Sequence, residues 1–148
     1  SPFEYGTPEY PIQWRRASIA SKSDHLTLWD GYTNTLELIS DETVDTMHSA
    51  AHFCNNLEIN GYADWYLPSI DELKLIYNNI CTLPNFLIDE PESLIKSSYN
   101  SLDSIRYWSS NQYDETTAIS LDFNTGEQHN EPKTYNRNIR AVRRIPIF

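Results

Sequence analysis

The 148-residue chain is predicted to fold as one α+β domain. Three features point that way. Short alternating apolar segments near both ends read as strands, two helix-period stripes lie between them, and Asn124-Thr125-Gly126 is a turn joining two late strands. A chain of this length can bury enough surface to hold a core without disulfide or metal staples. Residues 1–11, rich in Pro, Tyr and Gly, are read as an extended arm or junction to a preceding shaft, and residues 12–148 as the domain.

The elements are expected as follows. Residues 12–18 and 26–29 are short strand candidates, Asp30-Gly31 is a turn signal, and residues 36–39 are a further strand. Between residues 41 and 58, Val44, Met47, Ala51, Cys54 and Leu57 recur every three or four positions, which predicts a helix started by Ser40 or Asp41 and ended at Asn60-Gly61. A second helix is predicted over 69–80. Ser69 and Glu72 have capping-box spacing, so the hydroxyl can accept from an amide of the first turn while the carboxylate reaches back to the cap amide. Ile70, Leu73, Ile76, Tyr77 and Ile80 form its buried stripe. Residues 82–106 hold two prolines and no sustained period, and are expected to be a long irregular excursion. Strands are then predicted at 107–110, 117–123 (with Ile119, Leu121 and Phe123 facing one way), from 127 to 130, and at 139–145, with a loop over 131–136.

Composition narrows the function. Aromatic residues make up 13% of the chain, enough to offset the entropy of ordering it. Ten Tyr and four Trp against five Phe favour half-buried contacts and recognition surfaces, because those rings carry a polar handle. The net charge of −10 divides into about −15 over residues 1–132 and +5 over 133–148. An acidic whole argues against nucleic acid, anionic membranes or sulfated polysaccharide as the main partner, and the basic tail is expected to pair with the acidic body. No stretch approaches the roughly 20 apolar residues of a membrane span, so no membrane insertion is expected.

Catalytic signals are thin. Ser109-Ser110 follows Tyr107-Trp108, but no Gly-x-Ser-x-Gly elbow is present, and paired serines after an aromatic pair read better as hydrogen-bonding residues at a strand end. His48 and His52 stand four apart without a third ligand or the glutamate of a zinc-protease helix. Cys54 and Cys81 leave both a disulfide and a reduced packing role open. The expectation is a protein that is not an enzyme, with no metal and no cofactor.

Three stretches, in order, carry a resemblance: residues 50–78 ("AAHFCNNLEINGYADWYLPSIDELKLIYN"), 107–128 ("YWSSNQYDETTAISLDFNTGEQ") and 138–144 ("NIRAVRR"). They resemble the Lcl C-terminal domain family, named for the end domain of a Legionella collagen-like adhesin and also found at the ends of phage tail fibres. Trp14-Arg15-Arg16 matches that family's early Trp-x-Arg. Tyr66 stands where the family often has Arg, and Ala17 where many members have Cys.

The resemblance implies a C-type-lectin-like fold: chain ends that pair, two helices flanking small antiparallel sheets, and long recognition loops facing away from the paired ends. Glu90-Pro91-Glu92 and Glu131-Pro132-Lys133 lack the Glu-Pro-Asn or Gln-Pro-Asp form of calcium-dependent lectins. The implied role is a receptor- or glycan-binding domain, the terminal module of a phage tail fibre or bacterial adhesin, located on a virion or cell surface. Its implied partner is a cell-surface glycan or protein, and the full-length protein is expected to be a homotrimer. A trimeric fibre cap without a ligand, or a hydrolase on the same scaffold, are the other readings. Tyr and Asn concentrate in the loops, and the expected contacts are Tyr99, Asn100, Asn111, Tyr113, Asp114, Tyr135, Asn136 and Arg137.

Overall fold

The computed structural model describes residues 12–17, 26–41, 47–79 and 106–144. The arm at 1–11, most of the excursion at 82–106, and Cys81 lie outside the described residues. The element order is β1 (Ile12–Gln13), α1 (Gly31–Ser40), α2 (Ser49–Asn55), α3 (Ile70–Asn79), β2 (Arg106–Gln112), β3 (Thr117–Asp122), β4 (Gln128–Pro132) and β5 (Asn136–Arg137). This is α+β. The antiparallel sheet β2-β3-β4 carries the core, and a second two-stranded sheet pairs β1 with β5, joining the two ends of the domain.

Alternation along β2 and β3 divides the core in two. Trp108 and Ala118 pack with Trp14, Leu38 of α1, Ala50, Ala51 and Cys54 of α2, Leu67 and Ile139. Their chain neighbours Tyr107 and Ile119 pack with Leu121, Phe123 and the α3 residues Ile70 and Leu73. Ile119, Leu121 and Phe123 thus share one side, as the alternation predicts. The sheet lies between α3 and the α1–α2 pair. Gly126 has φ 79° in the β3–β4 turn, where the Tyr77 ring lies so close that a Cβ would sit 2.7 Å from it.

α3 starts as its capping box predicts. The Glu72 amide donates to Ser69 Oγ at 3.3 Å, and the Ser69 amide donates to Glu72 Oε1 at 3.0 Å. The same Oε1 accepts from the Gly31 amide at 2.8 Å, so one carboxylate serves the first turns of two helices. Asp30 is the cap of α1, accepting from the Thr33 amide at 3.1 Å. A Cβ on Gly31 would lie 2.5–2.6 Å from Glu72 Oε1, the Leu67 carbonyl and the Ser69 amide. The glycine is required by this close approach, not by a turn.

Several expectations are corrected here. Residues 36–39 are helix rather than strand, and Asp30-Gly31 opens a helix. The buried stripe of α1 is Gly31, Asn34, Thr35 and Leu38, half of it polar, so hydropathy alone conceals it. Residues 26–29 form no strand; they present Thr27 to Asn34. The helix expected over 41–58 is described only as Ser49–Asn55, and its start is at His48, because Asp41 instead ends α1 and pairs with Arg15 at 3.9 Å. β1 stops at Gln13. In place of a strand over 139–145, the described part of the tail, to Arg144, makes β5 and then two isolated bridges, Asn138 with Tyr107 and Val142 with Tyr66. Glu131 and Pro132 belong to β4, so the loop expected over 131–136 is shorter.

Candidate functional site

The site is set by a bulge in β2. Trp108 pairs with Ser120 and Gln112 with Ala118, so Ser109, Ser110 and Asn111 oppose Ile119 alone. All three are buried. Ser109 Oγ donates to the Ile119 carbonyl at 2.7 Å and accepts from the Asn111 amide, while Trp14 Nε1 donates to the Ser109 carbonyl at 2.7 Å. Ser110 Oγ accepts from Asn34 Nδ2 of α1 at 3.0 Å, and the Ser110 amide donates to the Pro68 carbonyl. Asn111 Oδ1 accepts from the Ile70 amide at 2.7 Å at the start of α3, and its Nδ2 donates to the Thr27 carbonyl. The paired serines are therefore structural hydrogen-bonders, and with Asn111 they join β2 to both helix layers; the chain leaves the core only after Gln112.

Two loops emerge beyond the bulge. Residues 113–116 connect β2 to β3, and 133–135 connect β4 to β5. The Lys133 amide donates to the Thr116 carbonyl at 2.9 Å, which ties the loops together. Asp114 Oδ1 accepts from the Thr116 and Thr117 amides and from Thr117 Oγ1 at 2.7 Å. The bonds from Thr117 come first among the causes that hold the Asp114 carboxyl below its ordinary range. Lys133 is fully buried, with Nζ bonded to Gln112 Oε1 and 5.0 Å from the centroid of the Trp14 ring. Burial and the Arg15 charge push its amine down to about 8.

The second loop is anchored from beneath. Glu131 is buried at the end of β4, and its Oε1 accepts from Arg137 Nη2 at 2.6 Å, Arg137 Nε at 2.9 Å and Arg106 Nη1 at 3.0 Å. Its Oε2 accepts from Ser120 Oγ. Burial raises the Glu131 carboxyl, but these bonds, that of Arg137 foremost, outweigh it and hold the group below its ordinary range. Arg137 then lies 5.2 Å over the Tyr135 ring. Glu131 is thus the centre of an interior ion cluster, its carboxylate already taken by the guanidinium groups of Arg137 and Arg106.

Five of the eight expected contacts lie on these two tied loops or on β5, which follows them. Tyr113 is 60% exposed and Tyr135 49%, with Asp114 and Asn136 exposed and Arg137 half-buried. Asn111 is 2% exposed and both ends of its amide are engaged inside, so it holds the frame and lies off the surface. Tyr99 and Asn100 lie outside the described residues. The 133–135 loop does not face away from the paired ends: Arg137 pairs with Ile12 and Gln13 Nε2 donates to the Thr134 carbonyl, so the Tyr135 loop stands beside the first strand.

Other chemistry suggested by the sequence resolves into packing. The buried His48 ring stands edge-on to Trp14 at 5.3 Å, and burial, with the charges of Arg15 and Lys133, lowers it to about 3. Cys54 is a buried free thiol whose burial pushes it up. Among the described residues no group of three or more His, Cys, Asp or Glu is placed to hold a metal, and no helix is long and apolar enough to cross a membrane.

A second aromatic cluster was missed by the sequence reading. Asn60 (φ 54°) and Gly61 (φ 83°) make a tight turn that presents Tyr62, 50% exposed. Arg143 lies 3.7 Å from the Tyr62 centroid and binds Asp64 with Nε at 2.7 Å and Nη2 at 3.1 Å. Arg144 binds Asp30 at 2.5 Å and lies 5.5 Å from the Tyr66 ring and 5.9 Å from the Tyr32 ring. The signal was the Gly-Tyr-x-Asp run beside tail arginines, but nothing local reveals that residues 79 apart would meet. The tail therefore pairs with the body, as its charge predicts.

Set against known families, the chain matches the Lcl C-terminal domain over residues 10–143, nearly its whole length. No curated protein matches it.

Proposed function

The chain belongs to the Lcl C-terminal domain family, an adhesin-like domain, and from that premise we propose that it is a non-enzymatic recognition domain. Its target is a glycan or protein on a cell surface, and its parent is a phage tail fibre or a bacterial surface adhesin. The observation that carries this reading is the pair of exposed tyrosines, Tyr113 and Tyr135, on two loops tied together by the Lys133–Thr116 bond. Tyrosine supplies a large contact plane at low entropic cost, and here the loops are held by Asp114, Glu131 and Arg137 before any ligand arrives. The same reading carries a homotrimer in the full-length protein, checked by light scattering.

The test is the double change Tyr113→Ala, Tyr135→Ala in a fluorescently labelled chain, applied to a panel of bacterial and eukaryotic cells. A buried tyrosine anchor is worth about 2 kcal/mol or more, so each truncation weakens binding about thirty-fold and the pair abolishes it. Unaltered cell binding by the folded double variant would rule out this face.

A further inference from the structure

We propose that the Tyr113–Tyr135 face takes an uncharged saccharide. The inference rests on the recognition reading above and narrows its ligand. It follows from how the charges near the face are disposed and from the shape of its apolar surface.

The five bases of residues 133–148 look, in sequence, like a docking strip for a polyanion. The structure removes that strip. Arg137 and Arg106 are set against Glu131 and Asp122, Arg106 Nε lying 3.6 Å from Asp122. Arg143 is bound by Asp64 and Arg144 by Asp30. Lys133 is buried against Trp14 and Gln112, and Arg140 is engaged as well. The charges that stand exposed on the two loops are Asp114 and Glu115. With a Debye length of about 8 Å at physiological salt, these two carboxylates repel a sulfate or sialate brought against the neighbouring rings.

The apolar surface fits a sugar better than a protein. Of the large exposed apolar side chains among the described residues, Tyr113 and Tyr135 are those on these loops, and their chain neighbours Asp114, Glu115, Thr116 and Asn136 are exposed and polar. A protein interface has a contiguous apolar core, whereas a saccharide needs separate aromatic planes for its C–H faces and polar groups for its hydroxyls. Arg137 and Glu131 hold Tyr135 without offering an uncompensated charge.

The test is an array of uncharged, sulfated and sialylated oligosaccharides probed with the full 148-residue chain, followed by titration of each bound glycan from 50 to 500 mM NaCl. We expect the bound set to be uncharged, with affinity changing less than about twofold across the salt series, against the factor of about 10³ or more lost by a binder relying on several phosphate-type contacts. Tyr113→Ala, Tyr135→Ala should remove that binding. Sulfated or sialylated glycans bound through the two tyrosines would overturn the charge argument while leaving the face as the site. Glycans bound equally by the double variant would overturn the site. Cell binding with an empty array would overturn the saccharide and leave a protein receptor, and loss of both would overturn the recognition reading itself.

Discussion

Ser109, Ser110 and Asn111 are polar and buried; Tyr113, two positions further on, is aromatic and exposed. The two stretches reverse the usual placement of these residue types within five positions of one chain. What separates them is hydrogen-bond satisfaction. Each polar side chain in the bulge meets a partner from another element: Asn34 of α1, the Ile70 amide of α3, the Ile119 carbonyl of β3. Burial then carries no unsatisfied group and the bulge becomes a joint between helix layers. Beyond Gln112 no second layer among the described residues packs on the chain; Asp114 satisfies the loop backbone locally and the Tyr113 ring stands outside.

The comparison breaks first at Asn111. Asn111→Ala removes the acceptor of the Ile70 amide and the donor to the Thr27 carbonyl, leaving two interior groups without these partners. A loss of about 3 kcal/mol is expected in urea unfolding. A loss under about 1 kcal/mol would mean that the bulge is not the joint described here.

Acid titration probes the same interior through His48. Its folded-state pKa lies at about 3, below the ordinary 6.5, so the folded protein refuses a proton that the unfolded chain accepts. Stability from this group is constant above about pH 6.5 and falls as pH drops toward 3. Between pH 6.5 and 4.5, before the lowered carboxylates Asp30, Asp64 and Glu131 titrate, about 2 kcal/mol should be lost. His48→Gln should flatten that slope, whatever its effect at pH 7; an unchanged slope would assign the loss to other groups.

A smaller effect belongs to the helix start. Ser69→Ala deletes one bond of the capping box, that to the Glu72 amide, and should cost about 1 kcal/mol. Glu72→Ala should cost more, since that carboxylate also serves Gly31 and the Tyr66 hydroxyl. Equal losses would deny Glu72 its role in both helices.

The smallest stability change is expected on the outer side of the comparison. Tyr113→Ala, Tyr135→Ala should alter unfolding by no more than about 0.5 kcal/mol per site, because exposed rings contribute little to the core. A cooperative drop in melting temperature would place these rings in the frame with Asn111.

The local chemistry of this chain was legible from its residues. Ser69 and Glu72 announce the start of α3, Ile119, Leu121 and Phe123 announce the buried side of β3, and Gly126 its turn, because a capping box, a period of two and a positive φ each depend on a few adjacent positions. The acid–base imbalance between body and tail likewise predicted ion pairs, and Arg143 and Arg144 make them. Tyr113 and Tyr135 were legible as loop residues, yet the nearness of the Tyr135 loop to the first strand was not. What tertiary structure alone decided is which polar residues go inside. Asn34 turns residues that read as a strand into a helix because its amide reaches Ser110, 76 positions away, and Asn111 leaves the expected surface because Thr27, 84 positions away, accepts from it. A polar side chain is buried only where its partner has already been brought close, and that partner is supplied by the fold rather than by the neighbouring sequence.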